Sequence, residues 1–165
     1  MAEDDPGRGA RRRARWRPAH YRFACRWELP AAPERVYEAL ADPLRYPAWW
    51  PQVREARQTG DREGELRFRS LLPFDLRVHV RGRREDPVAR VLEAELAGDL
   101  EGRVRWTVTP RGDRSAVAVF EQEVEVRHRL VRALSPLCRP AFRLNHALMM
   151  RQGRAGLRAY LGPAR

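Results

Sequence analysis

The sequence predicts an α+β fold in which a curved antiparallel sheet of six to seven strands wraps around one long C-terminal helix. Three observations lead to this prediction. Short segments with apolar residues at every second position follow one another through the middle of the chain, separated by turn residues. From about residue 129 the apolar pattern changes to a helical period. A short pair of helical segments, bracketed by prolines, follows the first strand.

The first strand is predicted at residues 21–29, where large apolar residues alternate with charged or small ones. A short helix begins at Pro33, where the missing N–H costs nothing, and Glu34 suits the positive end of its dipole. The Asp-Pro pair at 42–43 ends this helix, because proline biases the preceding residue away from helical angles. In the aromatic turn at 46–51 we expect one tryptophan to pack under the turn and the other to border a cavity.

The following strands are each apolar on one face only. A weaker strand near 52–60 precedes strands around Leu66 and Phe68, from Phe74 to Val80, from Val88 to Leu96, from Gly102 to Val108 and from Ser115 to Val126. Tight turns between them favour an antiparallel meander. Because the apolar face of such a sheet must be covered, we expect the C-terminal segment to cover it.

That segment is predicted to form a long amphipathic helix from about Arg129 to Leu161, with an interruption at Pro136 and Pro140. One stripe of the helix contains Phe142, His146, Met149, Gly153, Leu157 and Tyr160. The opposite side contains Arg139, Arg143, Arg151, Arg154 and Arg158. The helix is therefore expected to pack its stripe on the sheet and to turn its arginines away.

The chain of 165 residues has a formal net charge of +11, but the origin of this charge reduces its weight as evidence. All 33 basic residues are arginine, and lysine and isoleucine are absent, which indicates a GC-rich coding bias. The net charge is +3 over residues 1–20, −1 over residues 21–125 and +9 over residues 126–165. Residues 1–18 are predicted to form a disordered basic tail, and residues 19–165 a single domain.

Several classes of site are not supported by the sequence. Cys25 and Cys138 are too few and too far apart for a disulfide framework or a metal knuckle, and reduced thiols favour a cytoplasmic protein. Four scattered histidines show no metal-ligand spacing. Glycine-rich phosphate loops, nucleophile elbows, a signal peptide and transmembrane-length apolar runs are absent. We therefore predict no metal, no cofactor and a cytoplasmic location.

Four local motifs resemble those of a known superfamily: Trp27-x-Leu29, Ala32-Pro33-x-x-Val36-Tyr37-x-x-Leu40, Asp42-Pro43-x-x-Tyr46-Pro47-x-Trp49-Trp50-Pro51, and Leu148-Met149-Met150 with Gly156-Leu157 and Tyr160-Leu161. On these residues the chain resembles, over residues 21–162, the polyketide cyclase/dehydrase branch of the START-like (SRPBCC) superfamily. The resemblance implies the helix-grip fold, which Bet v 1-like proteins share, and a deep apolar cavity between sheet and helix. Relatives bind lipids, polyketides, hormones or other hydrophobic molecules there, and some catalyse cyclisation or dehydration.

The side chains expected to line this cavity are Trp50, Phe68, Phe74, Leu76, Trp106, Phe120, Gln122, Phe142, His146, Met149 and Met150. No catalytic residue is assigned, and His146 and Arg69 are the candidates. His146 has no visible acidic or nucleophilic partner, and a histidine on an apolar stripe is more often a satisfied core residue. Gln122 either points inward as an orienting amide or lies at a sheet edge. Arg69 depends on strand register, because a one-residue slip exchanges Arg67 and Arg69 with their apolar neighbours.

Three functions are compatible with the sequence. We prefer the binding of a hydrophobic small molecule (a lipid, polyketide or aromatic metabolite) by a carrier or sensor without chemistry. The second is an enzyme, a polyketide cyclase, aromatase or dehydratase, acting in the same cavity. The third is an arginine-rich binder of nucleic acid or of an anionic membrane surface, whose contacts would depend strongly on salt.

Overall fold

The computed structural model describes residues 19–69, 74–112 and 114–162, without the side chains of residues 130–132 and 134–138. The predicted basic tail at residues 1–18 lies outside the described residues, as does the side chain of Cys138. Within the described part, a seven-stranded antiparallel sheet packs against the C-terminal helix.

The elements follow in the predicted order. Strand β1 (His20–Leu29) is followed by α1 (Pro33–Ala41), a 3₁₀ turn (Pro43–Arg45) and α2 (Tyr46–Trp49). The meander consists of β2 (Val53–Gly60), β3 (Glu63–Arg69), β4 (Asp75–Asp86), β5 (Val91–Gly98), β6 (Leu100–Pro110) and β7 (Ala116–Val126). Helix α3 (Arg129–Leu161) is the last element. The weaker strand expected near 52–60 is confirmed as β2.

The order of strands across the sheet is β1-β7-β6-β5-β4-β3-β2. Strands β2 to β7 therefore form a meander, and β1 joins its far end by pairing with β7 from His20 opposite Glu125 to Leu29 opposite Ala116. The first two strands of the chain lie at opposite edges, and α1, the 3₁₀ turn and α2 span the distance between them. This confirms the predicted α+β helix-grip fold.

Helix α1 forms where the proline-based start signal predicted it. Pro33 lies in its first turn, and its buried residues Val36, Tyr37 and Leu40 recur at helical spacing. The hydroxyl of Tyr46, at the start of α2, donates a hydrogen bond to the carbonyl oxygen of Leu40 at 2.7 Å. This buried bond fixes the aromatic turn against the end of α1, which brings the tryptophans after it toward α3.

Two glycines of α3 make room for the aromatic turn. A Cβ atom added at Gly153 would lie 2.6 Å from Cε2 of Trp50, and one at Gly156 would overlap the carbonyl oxygen of Trp49. The indole Nε1 of Trp50 also donates a hydrogen bond to the carbonyl oxygen of Met149 at 3.1 Å. Both tryptophans are buried, so they pack mainly as core, in contact with the helix backbone.

The predicted interruption of the last helix is wrong, because α3 continues through Pro136 and Pro140. Each proline removes one N–H from the helical hydrogen bonds. In a helix of 33 residues that packs on a sheet, two missing bonds do not end the helix, since tertiary packing provides most of its stability.

Two residues of α3 lie elsewhere than the predicted stripe placed them. Tyr160 is 43% exposed, because the stripe continues from Leu157 to Leu161 four residues later. Arg139 does not lie on the side remote from the sheet. Its guanidinium lies 4.9 Å from the centroid of the Tyr21 ring and donates a hydrogen bond to the carbonyl oxygen of His20 at 2.8 Å.

The predicted strand starting at Val88 begins later. Val88 is 89% exposed in the turn before β5. A β-bulge between Arg81 and Arg84, with Gly82 at a φ of 56°, lengthens β4 as far as Asp86. The bulge adds residues to one strand only, so the turn moves toward the C-terminus and Val88 falls outside the ladder.

Candidate functional site

A cavity of about 220 Å³ lies between the apolar face of the sheet and helix α3. Six of the seven strands contribute apolar side chains through every second residue, for example Val78 and Val80 from β4 and Leu92, Ala94 and Leu96 from β5. Helix α3 closes the other side with Phe142, Asn145, His146, Met149 and Met150. The alternation that builds the core thus also lines the cavity. The cavity is the space that the core side chains leave unfilled between sheet and helix.

Aromatic rings form much of the cavity wall. The ring centroids of Trp106 and Phe120 are 4.7 Å apart, and Trp106 contacts Trp27 edge-on with centroids 4.8 Å apart. Trp27 in turn meets Trp50 at 5.7 Å. Such tilted and edge-on contacts are the arrangement that aromatic quadrupoles prefer. They stabilise the packing of this part of the wall.

His146 is the central polar group of this wall. Its imidazole stacks on the ring of Phe23, with centroids 3.8 Å apart and planes 11° apart, and Phe120 lies 6.0 Å away. Its Nε2 lies 3.2 Å from Oε1 of Gln122. Because an amide oxygen only accepts hydrogen bonds, Nε2 carries the proton and donates it to Gln122. In the neutral ring, Nδ1 is then left with a lone pair.

Burial controls the charge of this imidazole. Desolvation lowers the pKa of His146 from its ordinary value to about 4, since a charged ring is poorly stabilised among apolar neighbours. At neutral pH the ring is therefore uncharged, and the cavity holds a neutral hydrogen-bonding pair, His146 and Gln122. Asn145 is also buried at the cavity wall, where its Nδ2 lies 3.7 Å from Sδ of Met149.

Charged side chains line the cavity beside the end of α1. Arg83 donates a hydrogen bond to the carbonyl oxygen of Ala41 at 2.6 Å and forms an ion pair with Glu85 at 2.6 Å. Arg84 and Glu93 also border the cavity. These residues lie next to the bulge of β4. Because of the bulge, three consecutive residues, Arg83 to Glu85, reach the cavity border, whereas regular alternation would bring only two of them there.

The structure brings together nearly all the side chains that the sequence predicted for the cavity. Those that line it are Trp50, Phe68, Leu76, Trp106, Phe120, Gln122, Phe142, His146, Met149 and Met150. Phe74 does not line it, which corrects that placement. Its ring stacks on His128 with centroids 4.5 Å apart. Phe74 precedes β4, which begins at Asp75, so the strand's alternation does not govern its direction.

Arg69 is not placed in the cavity. Leu66 and Phe68 of β3 face inward, and Arg69 is exposed with its Nε 3.7 Å from the carboxylate of Asp75. Arg67 also faces away, forming ion pairs with Glu55 at 3.0 Å and with Asp75 at 2.8 Å. Pairing of β3 with β2 and β4 sets this register. The carbonyl-polarising role considered for Arg69 therefore has no geometric basis.

Other cavity residues were not predicted. Tyr21 and Phe23 lie on the inward-facing side of β1. The alternation of β1 was visible in the sequence, but nothing in the sequence indicated that the cavity extends to this strand. Asn145 lies next to His146 on α3 and could have been found from its position beside the stripe. The charged border at Arg83 and Glu85 could not, because these residues were assigned to a turn.

The described residues contain neither a group of metal ligands nor a thiol with a lowered pKa. Among the described residues, no three His, Cys, Asp or Glu side chains are grouped so that they could hold a metal ion. The thiol of Cys25 is free, and burial raises its pKa to about 11. Within the described ranges, no helix is both long enough and apolar enough to cross a membrane.

Comparison with solved structures shows which proteins share this architecture. The Zhui aromatase/cyclase from Streptomyces superposes with a TM-score of 0.72 at 16% identity, covering 86% of this chain and 93% of that one. A START superfamily protein from Mycobacterium smegmatis gives 0.62 at 17% identity, with 85% and 96% covered. A norcoclaurine synthase from Thalictrum, in complex with a transition-state analogue, gives 0.56 at 16% identity, with 86% and 95% covered.

Identities this low show that the fold is shared and carry no further information about chemistry. No curated protein sequence matches the chain. The family described as polyketide cyclase/dehydrase and lipid transport matches residues 21–162, which include β1 except His20, the aromatic turn, the whole meander and all of α3. With its seven-stranded helix-grip sheet and apolar cavity, the chain belongs to the polyketide cyclase/dehydrase and lipid transport family of START-like proteins.

Proposed function

We propose that the chain binds a small, mostly apolar molecule in the cavity between its sheet and α3. The observation that carries the proposal is the cavity of about 220 Å³, whose wall is apolar and aromatic except for a few polar groups. Ligand sites have this composition, since apolar walls provide affinity and a few polar groups set orientation. The membership of the chain in a family named for cyclases and lipid transport supports the same proposal.

The size of the cavity favours a ring system over a long-chain lipid. An apolar cavity of about 150 Å³ in another protein accommodates benzene, so a volume of about 220 Å³ suits a ligand of one or two fused rings. The neutral pair formed by His146 and Gln122 suits a ligand with one hydroxyl or carbonyl group. The lone pair on Nδ1 accepts a hydrogen bond, and the second lone pair and amide of Gln122 remain available.

The experiment compares three probes, 1-naphthol, naphthalene and palmitate, by isothermal titration calorimetry. We expect 1-naphthol to bind more tightly than naphthalene, and palmitate to bind least. The test variant is Ala94→Phe, which fills the cavity from β5. The matched control is Ala24→Phe, on the exposed face of β1. Equal binding by both variants, or no binding of any probe to the wild type, would show that the proposal is wrong.

A second candidate function is an enzyme of the cyclase or dehydratase kind acting in the same cavity. The contact between His146 and Gln122 favours it, because an oriented imidazole in an apolar wall is a common general acid or base. The low pKa of His146, about 4, counts against it. A general base works best with a pKa near the operating pH, so we rank binding first.

Native mass spectrometry of protein purified from its own host separates the two functions. For an enzyme that eliminates water, as a dehydratase or a cyclase with dehydration does, the His146→Phe variant would retain a precursor that is heavier by one water than the molecule retained by the wild type. For a binding protein, the variant would retain the same molecule in smaller amount. The His79→Gln variant is the control, because His79 lies outside the cavity lining and its side chain is 43% exposed.

A further inference from the structure

Four arginines form a charged face on the outer side of α3. Arg143, Arg151, Arg154 and Arg158 are all exposed. Their spacings of eight, three and four residues place them on one side of a helix with 3.6 residues per turn. We call this set the α3 arginine face. It extends over four turns and lies on the side of α3 away from the cavity.

The positive charge of this face is not neutralised by neighbouring carboxylates. Helix α3 contains no aspartate or glutamate, and none of the four arginines forms an ion pair with any described residue. Arginines of the sheet behave differently. Arg22 and Arg103 both pair with Glu123 at 2.8 Å, and Arg127 pairs with Glu101 at 2.7 Å. The α3 arginine face is therefore available to an anionic partner.

An apolar strip runs beside the arginines. Leu144 is 61% exposed, and Ala155 is exposed on the same flank three turns later, so these two residues form the strip. A helix with cations on one strip and exposed leucine beside them has the pattern of helices that lie at a membrane surface. Arginines reach the phosphate groups, and the apolar strip reaches the boundary with the acyl chains.

Nucleic acid fits this surface less well. Single strands are held by aromatic side chains between basic ones, and the sequence between Arg143 and Arg158 contains no Phe, Tyr or Trp. An exposed leucine has no partner on a phosphate backbone, whereas a bilayer interface provides one. The combination of cations and an apolar strip therefore favours a lipid surface.

We propose that the α3 arginine face docks on the surface of a membrane that contains anionic phospholipids. The opposite side of the same helix lines the cavity, so docking would bring the cavity within about one helix diameter, roughly 10–12 Å, of the lipid headgroups. The proposal stands on the surface alone and does not depend on which molecule the cavity binds.

The experiment measures co-sedimentation of the full chain with vesicles of phosphatidylcholine, with and without phosphatidylglycerol, at low and high salt. We expect binding only to vesicles with phosphatidylglycerol, and weaker binding at high salt, because salt screens exposed charges. Replacing arginines of the face by glutamine should lower the partition coefficient about fivefold for each arginine. Leu144→Ser should lower it further at either salt concentration.

Matched controls separate the face from total charge. The face variant replaces Arg143, Arg151, Arg154 and Arg158 with Gln, and the charge control replaces four exposed arginines elsewhere: Arg54, Arg62, Arg81 and Arg114. The control should bind clearly more tightly than the face variant. Val88→Ser is the control for Leu144→Ser, since Val88 is 89% exposed in the turn before β5. If the fourfold face variant fails to fold, the single Arg151→Gln and Arg158→Gln variants give the same comparison.

Several results would overturn the proposal. Equal losses in the face variant and the charge control would mean that net charge, and not the face, is responsible. Equal binding to vesicles of phosphatidylcholine alone would exclude recognition of anionic lipid. Binding to a fluorescent duplex oligonucleotide that is lost in the face variant, without binding to vesicles, would identify nucleic acid as the partner.

Discussion

The indole of Trp50 occupies the space that a side chain at Gly153 would need, since a Cβ atom there would lie 2.6 Å from its ring. Absence of that side chain lets the indole Nε1 reach the carbonyl oxygen of Met149 at 3.1 Å. A tryptophan of the aromatic turn is thereby bonded to the backbone of the helix that lines the cavity. The same ring contributes to the cavity wall, so the packing of turn on helix shapes the site.

Gly153→Ala and Gly156→Ala should both destabilise the fold. Alanine is favoured over glycine inside a helix by about 1 kcal/mol, but overpacking costs about 1–3 kcal/mol. We expect a net loss of about 1 kcal/mol at Gly153, where the indole can shift. A loss of about 2 kcal/mol is expected at Gly156, where the added atom meets the Trp49 backbone. Urea unfolding measures both. Arg151 is exposed on the same helix, so the control variant Arg151→Ala should change the free energy of unfolding by less than about 0.5 kcal/mol. A larger loss of stability at Gly153 than at Gly156 would contradict this packing.

Trp50→Ala should lower the free energy of unfolding by about 3–5 kcal/mol, as expected for a buried tryptophan. Phenylalanine substitutions isolate the hydrogen bond. Trp50→Phe loses the bond to Met149, whereas Nε1 of Trp49 is buried with no partner among the described residues. Trp50→Phe should therefore cost about 1 kcal/mol more than Trp49→Phe. Equal costs in denaturant titrations would mean that the bond does not stabilise the fold.

Stability should fall in mild acid because His146 is buried. Its pKa is 6.5 in an ordinary environment and about 4 in the folded chain. Between these values the unfolded chain binds a proton that the folded chain does not, so the free energy of unfolding decreases as the pH falls from 6.5 to 4. Below the lower value this contribution stays constant. The decrease should be on the order of 2–3 kcal/mol.

Urea titrations across this pH range test the prediction. In the His146→Phe variant, which keeps the stack on Phe23, this part of the pH dependence should disappear. The His79→Gln variant should keep it, since the His79 side chain is 43% exposed and its partner Glu65 lies at the surface of the sheet. A wild-type profile that matches that of His146→Phe would show that the imidazole is not buried in its neutral form.

Gln122→Glu should raise the pKa of His146. The substitution places a carboxylate where the amide oxygen now lies, 3.2 Å from Nε2, and a nearby opposite charge favours the protonated ring. NMR titration of the imidazole Cε1–H signal measures the change. Gln58→Glu, at an exposed position of β2, should leave the titration unchanged. An unshifted His146 in the Gln122→Glu variant would mean that the two side chains do not meet.

Much of the fold was predictable because its signals are local. Alternation in β1 and β7, and the apolar stripe of α3, each follow from the period of one element. The extent of α3 was not predictable from Pro136 and Pro140, since proline lowers helix propensity locally while packing on the sheet stabilises the whole helix. The exposure of Val88 likewise follows from a bulge in β4, which no pattern of apolar residues indicates.

The candidate site was predictable in its members but not in their contacts. Parity gave an inward position for Gln122 as one of two alternatives, and helical spacing placed His146 on the stripe expected to pack on the sheet. Their separation of 3.2 Å depends on how α3 crosses β7, which is a tertiary property. Arg69 shows the same limit. Arginines and apolar residues alternate in β3, so only pairing with its neighbours decides which set faces the cavity.

The pairing of β1 with β7 has a consequence for synthesis. His20 lies opposite Glu125, so the first strand to leave the ribosome has no partner until the last strand has been made. Meanwhile its aromatic residues and unpaired backbone are open to other chains, a known cause of aggregation. Contacts between such distant parts of a chain also slow folding. The strand that is made first can therefore pair only after β7 has emerged.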